Sequence, residues 1–258
     1  MVITNLDNQY KNFKKIAKSY LNSEQWDIVE KAYNFANNAH GNQTRLTGDK
    51  FITHPLETAK YLAELHLDYN TLAAGLLHDV IEDCDVSLAD LADLFGEEIS
   101  SLVQGVTKLT EVENVSEIRW EENVQTHSIL EAQTLRKMLM TVAEDIRVVL
   151  IKLSDRLHNM ETIDPLPDDR KIKFSKETME IYAPLAHRLG MWDFKWRLED
   201  LAFRNLDPSM YKRVAKLVNT KRTNRDEYIL NAINSLKSKL KKEGIVAEVK
   251  GRSKHLFS

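Results

Sequence analysis

The sequence is poor in the residues that interrupt helices. Among its 258 residues there are only eight glycines and five prolines, and long segments rich in Leu, Ala, Glu and Lys separate them. Glycine and proline are the residues least favourable to a helix interior, and the alternating pattern of a half-buried strand is nearly absent. The sequence therefore predicts a mostly helical fold of one large domain or two modest ones.

Four further absences narrow the possible functions. Cys84 is the only cysteine, which excludes an intramolecular disulfide and favours a reducing compartment. No apolar run approaches the roughly 20 residues that a membrane helix needs, and the first residues do not have the pattern of a secretory signal. The net charge is −3, so no overall positive field indicates a nucleic acid or an anionic membrane as partner. We therefore expect a cytoplasmic protein that contacts neither a membrane nor DNA directly.

Apolar residues recur at helical spacing along most of the chain, with capping residues such as Ser23 and Ser87 at the starts of helices. The predicted helices cover about residues 8–20, 23–39, 53–65, 70–83, 88–95, 97–108, 129–142, 145–160, 171–189, 193–205 and 208–242. Residues 40–50 have the composition of a polar loop. Residues 111–128 are charged and weakly periodic, which predicts a mobile loop or lid, and residues 245–249 form the only plausible strand.

One stretch combines metal-binding side chains with acids: His78-Asp79-Val80-Ile81-Glu82-Asp83. Residues four apart share a helix face, so a helix through this stretch places His78 above Glu82 and Asp79 above Asp83. The preceding run is apolar, and burying these groups beside it costs free energy unless a cation or hydrogen bonds compensate them. The stretch is therefore either a helix end with solvated acids or one wall of a divalent-metal site.

Two more candidate ligands, His54 and Asp155, lie where other apolar helices turn polar. With the pair His78-Asp79 they give two imidazoles and two carboxylates, which suit manganese, iron or zinc better than calcium or magnesium. Taken alone, each has an ordinary interpretation. His54 could cap its helix, and Asp155 could form a surface salt bridge with Arg156 or Lys152.

Together these motifs resemble the HD superfamily of metal-dependent phosphohydrolases. More specifically, they resemble the hydrolase half of the Rel/SpoT enzymes, which make and destroy the alarmones ppGpp and pppGpp. Five stretches spread over nearly the whole chain carry the resemblance: 43–48, 78–83, 105–109, 152–160 and 180–190. The resemblance implies an all-α fold with three parts: an HD-domain phosphohydrolase helical bundle over residues 1–165, a helical bridge over 166–243, and the truncated start of an α/β synthetase domain, with its first strand, over 244–258.

The resemblance also implies the site residues and the cofactor. Four residues match the manganese (Mn²⁺) ligands of the family: His54, His78, Asp79 and Asp155. Two match the acid pair that positions and activates the attacking water: Glu82 and Asp83. Four match contacts to the nucleotide: Arg45, Thr47, Asn159 and Thr162. The implied reaction is hydrolysis of the 3′-diphosphate of ppGpp or pppGpp to GDP or GTP and pyrophosphate. The HD-x-x-ED string is whole here, which favours a working hydrolase.

Two residues depart from the family pattern. Leu46 stands where the family usually has lysine, and Glu161 where it often has arginine. Both changes remove positive charge beside a polyphosphate substrate, which leaves the preference between ppGpp and pppGpp open. Two other functions remain as alternatives: hydrolysis of another nucleotide, or a hydrolase-plus-bridge fragment of a bifunctional GTP pyrophosphokinase that acts mainly as a regulatory module. Ribosome association would be expected only in a full-length form.

Overall fold

The fold is almost entirely helical in the computed structural model, which describes residues 6–119, 144–219 and 222–249. Within these ranges the only pairing of extended residues is an isolated antiparallel bridge between Thr44 and Lys50. The predicted all-α fold is thereby confirmed. None of the helices in the described ranges is long and apolar enough to cross a bilayer.

The helices in the described ranges are α1 (Leu6–Ala17), α2 (Ser23–His40), α3 (Thr53–Glu64), α4 (Tyr69–Leu77), α5 (Val80–Asp83), α6 (Leu88–Phe95), α7 (Glu97–Arg119), α8 (Ile146–Glu161), α9 (Asp168–Glu177), α10 (Ala183–Arg188), α11 (Trp192–Leu206), α12 (Pro208–Asn219) and α13 (Arg222–Lys242). A π-helix, Thr178–Tyr182, joins α9 to α10.

Two helix starts are fixed by capping boxes. Ser87 caps α6 as predicted, and it exchanges hydrogen bonds with Asp90. The cap of α2 is Asn22 rather than Ser23, because the Asn22 side chain accepts from the backbone of Gln25 and the Gln25 side chain reaches back. Both boxes satisfy N–H groups that a helix start otherwise leaves unpaired.

The chain divides into two compact units. The first comprises Met1–Pro167 with Glu180–Tyr182, and the second comprises Asp168–Met179 with Ala183–Ser258. In the first unit α3 packs against α1, α4 and α8, while α4 also packs against α2 and α7. Buried apolar side chains such as Trp26, Leu56 and Leu72 fill the space between these helices. The first unit holds all the candidate site residues; the role of the second as a bridge stays a prediction.

Two glycines permit close packing around α4 and α8. A Cβ added at Gly75 of α4 would lie 2.6 Å from Cδ1 of Leu62 in α3, and one added at Gly105 of α7 would lie 2.7 Å from Cγ2 of Val148 in α8. Both distances are too short for carbon atoms in contact. The absence of a side chain at these two positions therefore sets how closely the helices approach.

The predicted helix 70–83 is wrong at its centre. Helix α4 ends at Leu77 and α5 begins at Val80, so His78 and Asp79 form a turn between them. The Nδ1 atom of His78 lies 2.8 Å from the carbonyl oxygen of Gly75, in the last turn of α4. This hydrogen bond from a side chain to a backbone carbonyl competes with the backbone hydrogen bonds of the helix. Such competition is typical of the ends of helices.

Other local predictions also fail. The lid predicted at 111–128 is contradicted as far as Arg119, because α7 continues to that residue. Residues 111–119 contain no glycine or proline, and extending an existing helix costs little free energy.

The strand predicted at 245–249 has no regular structure, since a lone strand without a partner is not stable. Within the predicted helix 208–242 the structure describes α12 and α13, and residues 220–221 between them lie outside the described residues. Residues 120–128 and the predicted helix 129–142 lie outside the described residues.

Candidate metal centre and active site

Three helices bring two imidazoles and a carboxylate together in the first unit. His54 lies in the first turn of α3, His78 directly follows α4, and Asp155 lies in α8. Their ligand atoms all lie within 4.8 Å of one another, and all three residues are buried. Nε2 of His54 is 3.1 Å from Oδ1 of Asp155, and Nε2 of His78 is 4.0 Å from the same oxygen. This group could hold a metal ion.

Asp79, the fourth predicted ligand, faces the same point. Its Oδ2 atom lies 3.4 Å from Nε2 of His54, and its Oδ1 atom lies 3.1 Å from Nε2 of His78. Ligand atoms bound at about 2.1 Å to one cation, with bonds at right angles, lie about 3 Å apart. The distances from Asp79 to the two imidazoles are therefore compatible with a shared first-row divalent cation, whereas the group whose ligand atoms all lie within 4.8 Å of one another comprises His54, His78 and Asp155 without Asp79.

The protonation of His78 also fits a metal ligand. A carbonyl oxygen can only accept, so the contact between Nδ1 and the Gly75 oxygen places the ring hydrogen on Nδ1. In the neutral imidazole that a metal binds, Nε2 is then the atom with the lone pair; this atom is buried and has no hydrogen-bond partner among the described residues. Ligating histidines commonly donate their other ring N–H to a carbonyl in this way. Burial also lowers the pKa of His54, against the opposing effect of Asp155, which favours the neutral imidazole that a metal needs.

The carboxylate of Asp155 is shared between the imidazoles and a lysine. Its Oδ2 atom lies 3.1 Å from Nζ of Lys152, and both side chains are 8% exposed. The salt bridge considered as an alternative to metal binding therefore exists, but it is buried and leaves Oδ1 for the imidazoles. Arg156 instead lies over the ring of Tyr182, with Cζ 3.9 Å from the ring centre. Burial opposes ionisation of Asp155, but the interactions that favour it, of which the charge of Lys152 is the largest, outweigh burial, so the pKa of Asp155 lies well below its usual range.

The predicted acid pair stands at the edge of this centre. Glu82 and Asp83 end α5 and are exposed residues. Partial desolvation, followed by the negative charge of Asp79, raises the pKa of Glu82 to about 7, while Lys152 opposes the shift. The same two causes, in the same order, raise the pKa of Asp83. Glu82 is thus a carboxyl group that can take up or release a proton near neutral pH.

The predicted nucleotide loop reaches the metal ligands through Arg45. Its Nη2 atom donates to Oδ1 of Asn159 at 2.8 Å, and Nδ2 of Asn159 donates to Oδ1 of Asp155. Its Nη1 atom lies 2.9 Å from Nδ1 of His158. The structure therefore brings Arg45 and Asn159 together, and both lie beside the candidate metal centre.

The other predicted nucleotide contacts are placed less directly. The Thr47 hydroxyl is buried and has no hydrogen-bond partner among the described residues. The Thr162 hydroxyl donates to the carbonyl of His158 at 2.9 Å, which uses it at the end of α8. The two residues that depart from the family pattern, Leu46 and Glu161, have different surroundings. The side chain of Leu46 is 75% exposed. Glu161 accepts a hydrogen bond of 2.5 Å from the hydroxyl of Tyr61.

Sequence reasoning missed His158. Its Nδ1 atom lies 2.7 Å from Nδ1 of His54, and the residue is buried. Burial and the positive charge of Arg45 lower the pKa of His158 well below its ordinary value, so the ring is neutral. One signal was present, because His158 follows Asp155 by three positions and so shares its helix face.

Comparisons with known proteins agree with this geometry. The family model described as an HD domain matches residues 32–192. The bifunctional (p)ppGpp synthase/hydrolase SpoT of Escherichia coli K12 is 41% identical over 249 residues, which cover 96% of this chain and 34% of that protein. The guanosine-3′,5′-bis(diphosphate) 3′-pyrophosphohydrolase of Aquifex aeolicus VF5 is 44% identical over 231 residues, covering 89% of this chain and 31% of that protein.

A relative with another name matches a similar share of the chain. The GTP pyrophosphokinase of Streptomyces coelicolor is 45% identical over 230 residues, covering 89% of this chain and 26% of that protein. The chain thus spans between 26% and 34% of the length of these curated relatives.

A solved structure supports the fold. It is described as a metazoan orthologue of SpoT that hydrolyses ppGpp, and it matches with a TM-score of 0.50 at 22% identity, covering 73% of this chain and 98% of that one. At this identity the likeness supports the helical fold alone. The chain belongs to the HD domain family, and the predicted resemblance to Rel/SpoT proteins is confirmed.

Proposed function

We propose that the chain hydrolyses the 3′-diphosphate of ppGpp and pppGpp to GDP or GTP and pyrophosphate, with Mn²⁺ as cofactor. We place this reaction in the cytoplasm, in the alarmone metabolism of the stringent response. The observation that carries the proposal is the convergence of two buried imidazoles and two carboxylates beside an acid pair of raised pKa. It is supported by relatives that are named as pyrophosphohydrolases of this nucleotide.

The proposed metal ligands are His54, His78, Asp79 and Asp155. A divalent cation bound there would neutralise charge on the diphosphate and lower the pKa of water. The ligand set fits manganese because it mixes imidazole nitrogen with carboxylate oxygen. Nε2 of His78 supports this assignment most directly. It is buried, it has no hydrogen-bond partner among the described residues, and it lies 3.1 Å from Oδ1 of Asp79.

The acid pair would move the protons. Hydrolysis joins a water oxygen to the phosphorus next to the ribose 3′-oxygen and breaks the bond between that phosphorus and the 3′-oxygen. The water gives up a proton, and the departing 3′-oxygen must gain one. Glu82 and Asp83 together can supply a carboxylate that accepts the first proton and a carboxyl group that returns the second, because both pKa values are raised toward neutrality.

The loop and the end of α8 would hold the nucleotide. We assign the guanine to the planar guanidinium of Arg45, which suits stacking on a base. Thr47 offers a hydroxyl that has no partner among the described residues, and Asn159 and Thr162 lie on the same side of α8 as Asp155. In this arrangement the residues that bind the base lie next to those that bind the metal.

The test is a nucleotide panel with Mn²⁺ and with a chelator. The chain is incubated with ppGpp, pppGpp, dGTP and a cyclic nucleotide, and pyrophosphate and the nucleoside phosphates are measured. We expect release of pyrophosphate from ppGpp and pppGpp that the chelator abolishes. Release from dGTP but not from ppGpp would replace the proposal by an HD phosphohydrolase of another nucleotide.

A substitution separates catalysis from a regulatory role. Glu82→Gln removes the titratable group and keeps its shape, and we expect it to lower turnover by about 10²–10⁴-fold. Asp85→Asn, a matched change at an exposed residue three positions further along the chain, should leave turnover unchanged. Equal turnover in Glu82→Gln and in the unaltered chain would favour a regulatory module instead.

A further inference from the structure

We infer that His158 is a positioning residue of the metal centre, whose Nδ1 atom accepts a hydrogen bond from His54 and so keeps the Nε2 lone pair of His54 directed at the cation. The same atom is held in its accepting form by Arg45. The inference rests on the metal site of the proposed function, but not on the identity of the substrate.

Arg45 acts only as a donor, because a guanidinium has no acceptor and does not lose its proton. Its Nη1 atom lies 2.9 Å from Nδ1 of His158. Of the two partners only the histidine nitrogen can accept, so Nδ1 of His158 carries no hydrogen. The protonation state of His158 is thereby fixed by a neighbour whose own state does not vary.

The accepting role of His158 fixes the position of the ring hydrogen of His54. Its Nδ1 atom lies 2.7 Å from the same Nδ1 atom of His158, and both residues are buried. Since the His158 atom accepts, the His54 atom must donate, so the ring hydrogen of His54 is on Nδ1. Nε2 of His54 therefore carries a lone pair, and this is the atom that lies 3.1 Å from Oδ1 of Asp155.

The two ligand histidines are thus oriented by different acceptors. The carbonyl of Gly75 accepts from His78, and a side chain, His158, accepts from His54. A carbonyl cannot change its role, whereas an imidazole can, and that difference explains why Arg45 is needed beside His158. The other arm of Arg45 reaches Asp155 through Asn159, so one guanidinium supports two of the candidate ligands.

The first experiment measures Mn²⁺ affinity by titration calorimetry without nucleotide. His158→Leu removes the acceptor, and we expect Mn²⁺ to bind about 10–100-fold more weakly, as is typical for loss of a partner of a ligating histidine. His158→Asn places an amide oxygen where Nδ1 was, so it should restore most of the affinity. His158→Gln is the matched control, since its amide reaches the Nε2 position instead and should not restore it. Unfolding of each variant in chelator shows that it is folded.

A second experiment asks whether replacing Arg45 strengthens or weakens Mn²⁺ binding. If Arg45 acted on the metal only through its charge, Arg45→Leu would tighten Mn²⁺ binding, because a nearby positive charge repels the cation. If Arg45 fixes the accepting state of His158, the same substitution weakens Mn²⁺ binding. Weaker binding supports the inference, and tighter or unchanged binding overturns the part played by Arg45.

The outcomes also separate this inference from the proposed function. If the unaltered chain binds no Mn²⁺, the metal site itself is wrong and the inference falls with it. If the unaltered chain and His158→Leu bind Mn²⁺ equally, or if Asn restores no more than Gln does, only the inference is wrong. Both readouts are independent of which nucleotide the chain hydrolyses.

Discussion

Lys152 and Asp155 form a buried ion pair within α8, in which Nζ of the lysine lies 3.1 Å from Oδ2 of the aspartate. The other oxygen of the same carboxylate faces the imidazoles of His54 and His78. The lysine thus compensates the carboxylate from one side, while a metal would bind it from the other. Because ammonium and metal are both cations, each reduces the electrostatic gain of the other.

We predict that Lys152→Met destabilises the metal-free chain and increases its response to Mn²⁺. Removing one partner of a buried pair leaves an uncompensated charge, which costs about 3 kcal/mol in the free energy of unfolding. Mn²⁺ then restores that compensation without repulsion from the lysine. Urea unfolding in chelator and in Mn²⁺ should show a larger difference for the variant than for the unaltered chain.

The matched control is Lys14→Met. Lys14 pairs with Glu30 at 2.9 Å, but these side chains are 38% and 34% exposed. Such a pair contributes less than about 1 kcal/mol, and it lies outside the metal centre. An equal Mn²⁺ response in Lys152→Met and Lys14→Met would contradict the prediction.

We predict that Glu82→Gln makes the metal-free chain more stable at pH 8. The pKa of Glu82 is raised from 4.5 to about 7 in the folded chain, so the folded state binds this proton more tightly than the unfolded state does. Stability linked to the group is therefore greatest below pH 4.5 and is lost as the pH rises through about 7. The advantage of the variant should shrink as the pH falls from 8 to 5, as measured by urea unfolding in chelator.

Asp90 provides a control of opposite sign. Hydrogen bonds from the Ser87 side chain and backbone lower its pKa, so its stabilising effect is present above the unfolded pKa and is lost as the pH falls through the folded value. Asp90→Asn should therefore be less stable than the unaltered chain at pH 8. A pH-independent difference for Glu82→Gln would show that its pKa is not raised.

We predict that Gly105→Ala destabilises the chain by about 1–3 kcal/mol, as overpacking does. The added Cβ would lie 2.7 Å and 3.2 Å from the two methyl carbons of Val148, and a β-branched side chain in a helix has little freedom to turn away. Because Val148 is in α8, the strain acts on the helix that carries Asp155, and Mn²⁺ affinity should fall as well.

A double-mutant cycle checks this cause. Val148→Ala makes room for the new methyl group, so the double variant should be more stable than the sum of the two single changes allows. Ser101→Ala, at an exposed position of α7, should change stability by less than about 0.5 kcal/mol. If the changes in unfolding free energy of the two single variants simply add in the double variant, the contact between positions 105 and 148 is contradicted.

We predict that Leu46→Lys lowers the KM for ppGpp without changing stability. Leu46 is 75% exposed and lies next to Arg45, so a lysine here adds positive charge at the mouth of the proposed nucleotide site. The effect on KM should weaken with added salt, since salt screens exposed charges. Leu46→Gln is the uncharged control, and an equal KM in both variants would indicate that position 46 does not face the phosphates.

Local pattern identified the stretch that holds His78, Asp79 and the acid pair, but the continuous helix it predicted through them is interrupted after Leu77. Local pattern could not place His54 against Asp155, which are about a hundred residues apart and meet only because α3 packs on α8; the family resemblance supplied that pairing. The roles assigned by resemblance stay predictions.

The missed features share a physical cause. The position of His158 on α8 was readable, but its function depends on a loop arginine and on a histidine of another helix. The break after Leu77 arises from a bond between a side chain and the Gly75 carbonyl, which apolar periodicity does not encode. Charge density at 111–119 indicated a loop, yet glutamate-rich segments without glycine or proline also extend helices.

The small loop before α3 has a dynamic consequence. The Thr44–Lys50 bridge and the bonds from Arg45 N to Asp49 O and from Phe51 N to Gln43 O close it into a miniature hairpin. Gln43, at its base, donates through Nε2 to the carbonyl of Asp83 at 3.0 Å. This hydrogen bond links the loop that carries Arg45 to the helix that carries the acid pair, so we expect the two segments to open together. Their amide hydrogens should exchange with solvent together, through a single opening event that exposes the base-binding and proton-transferring groups at the same moment.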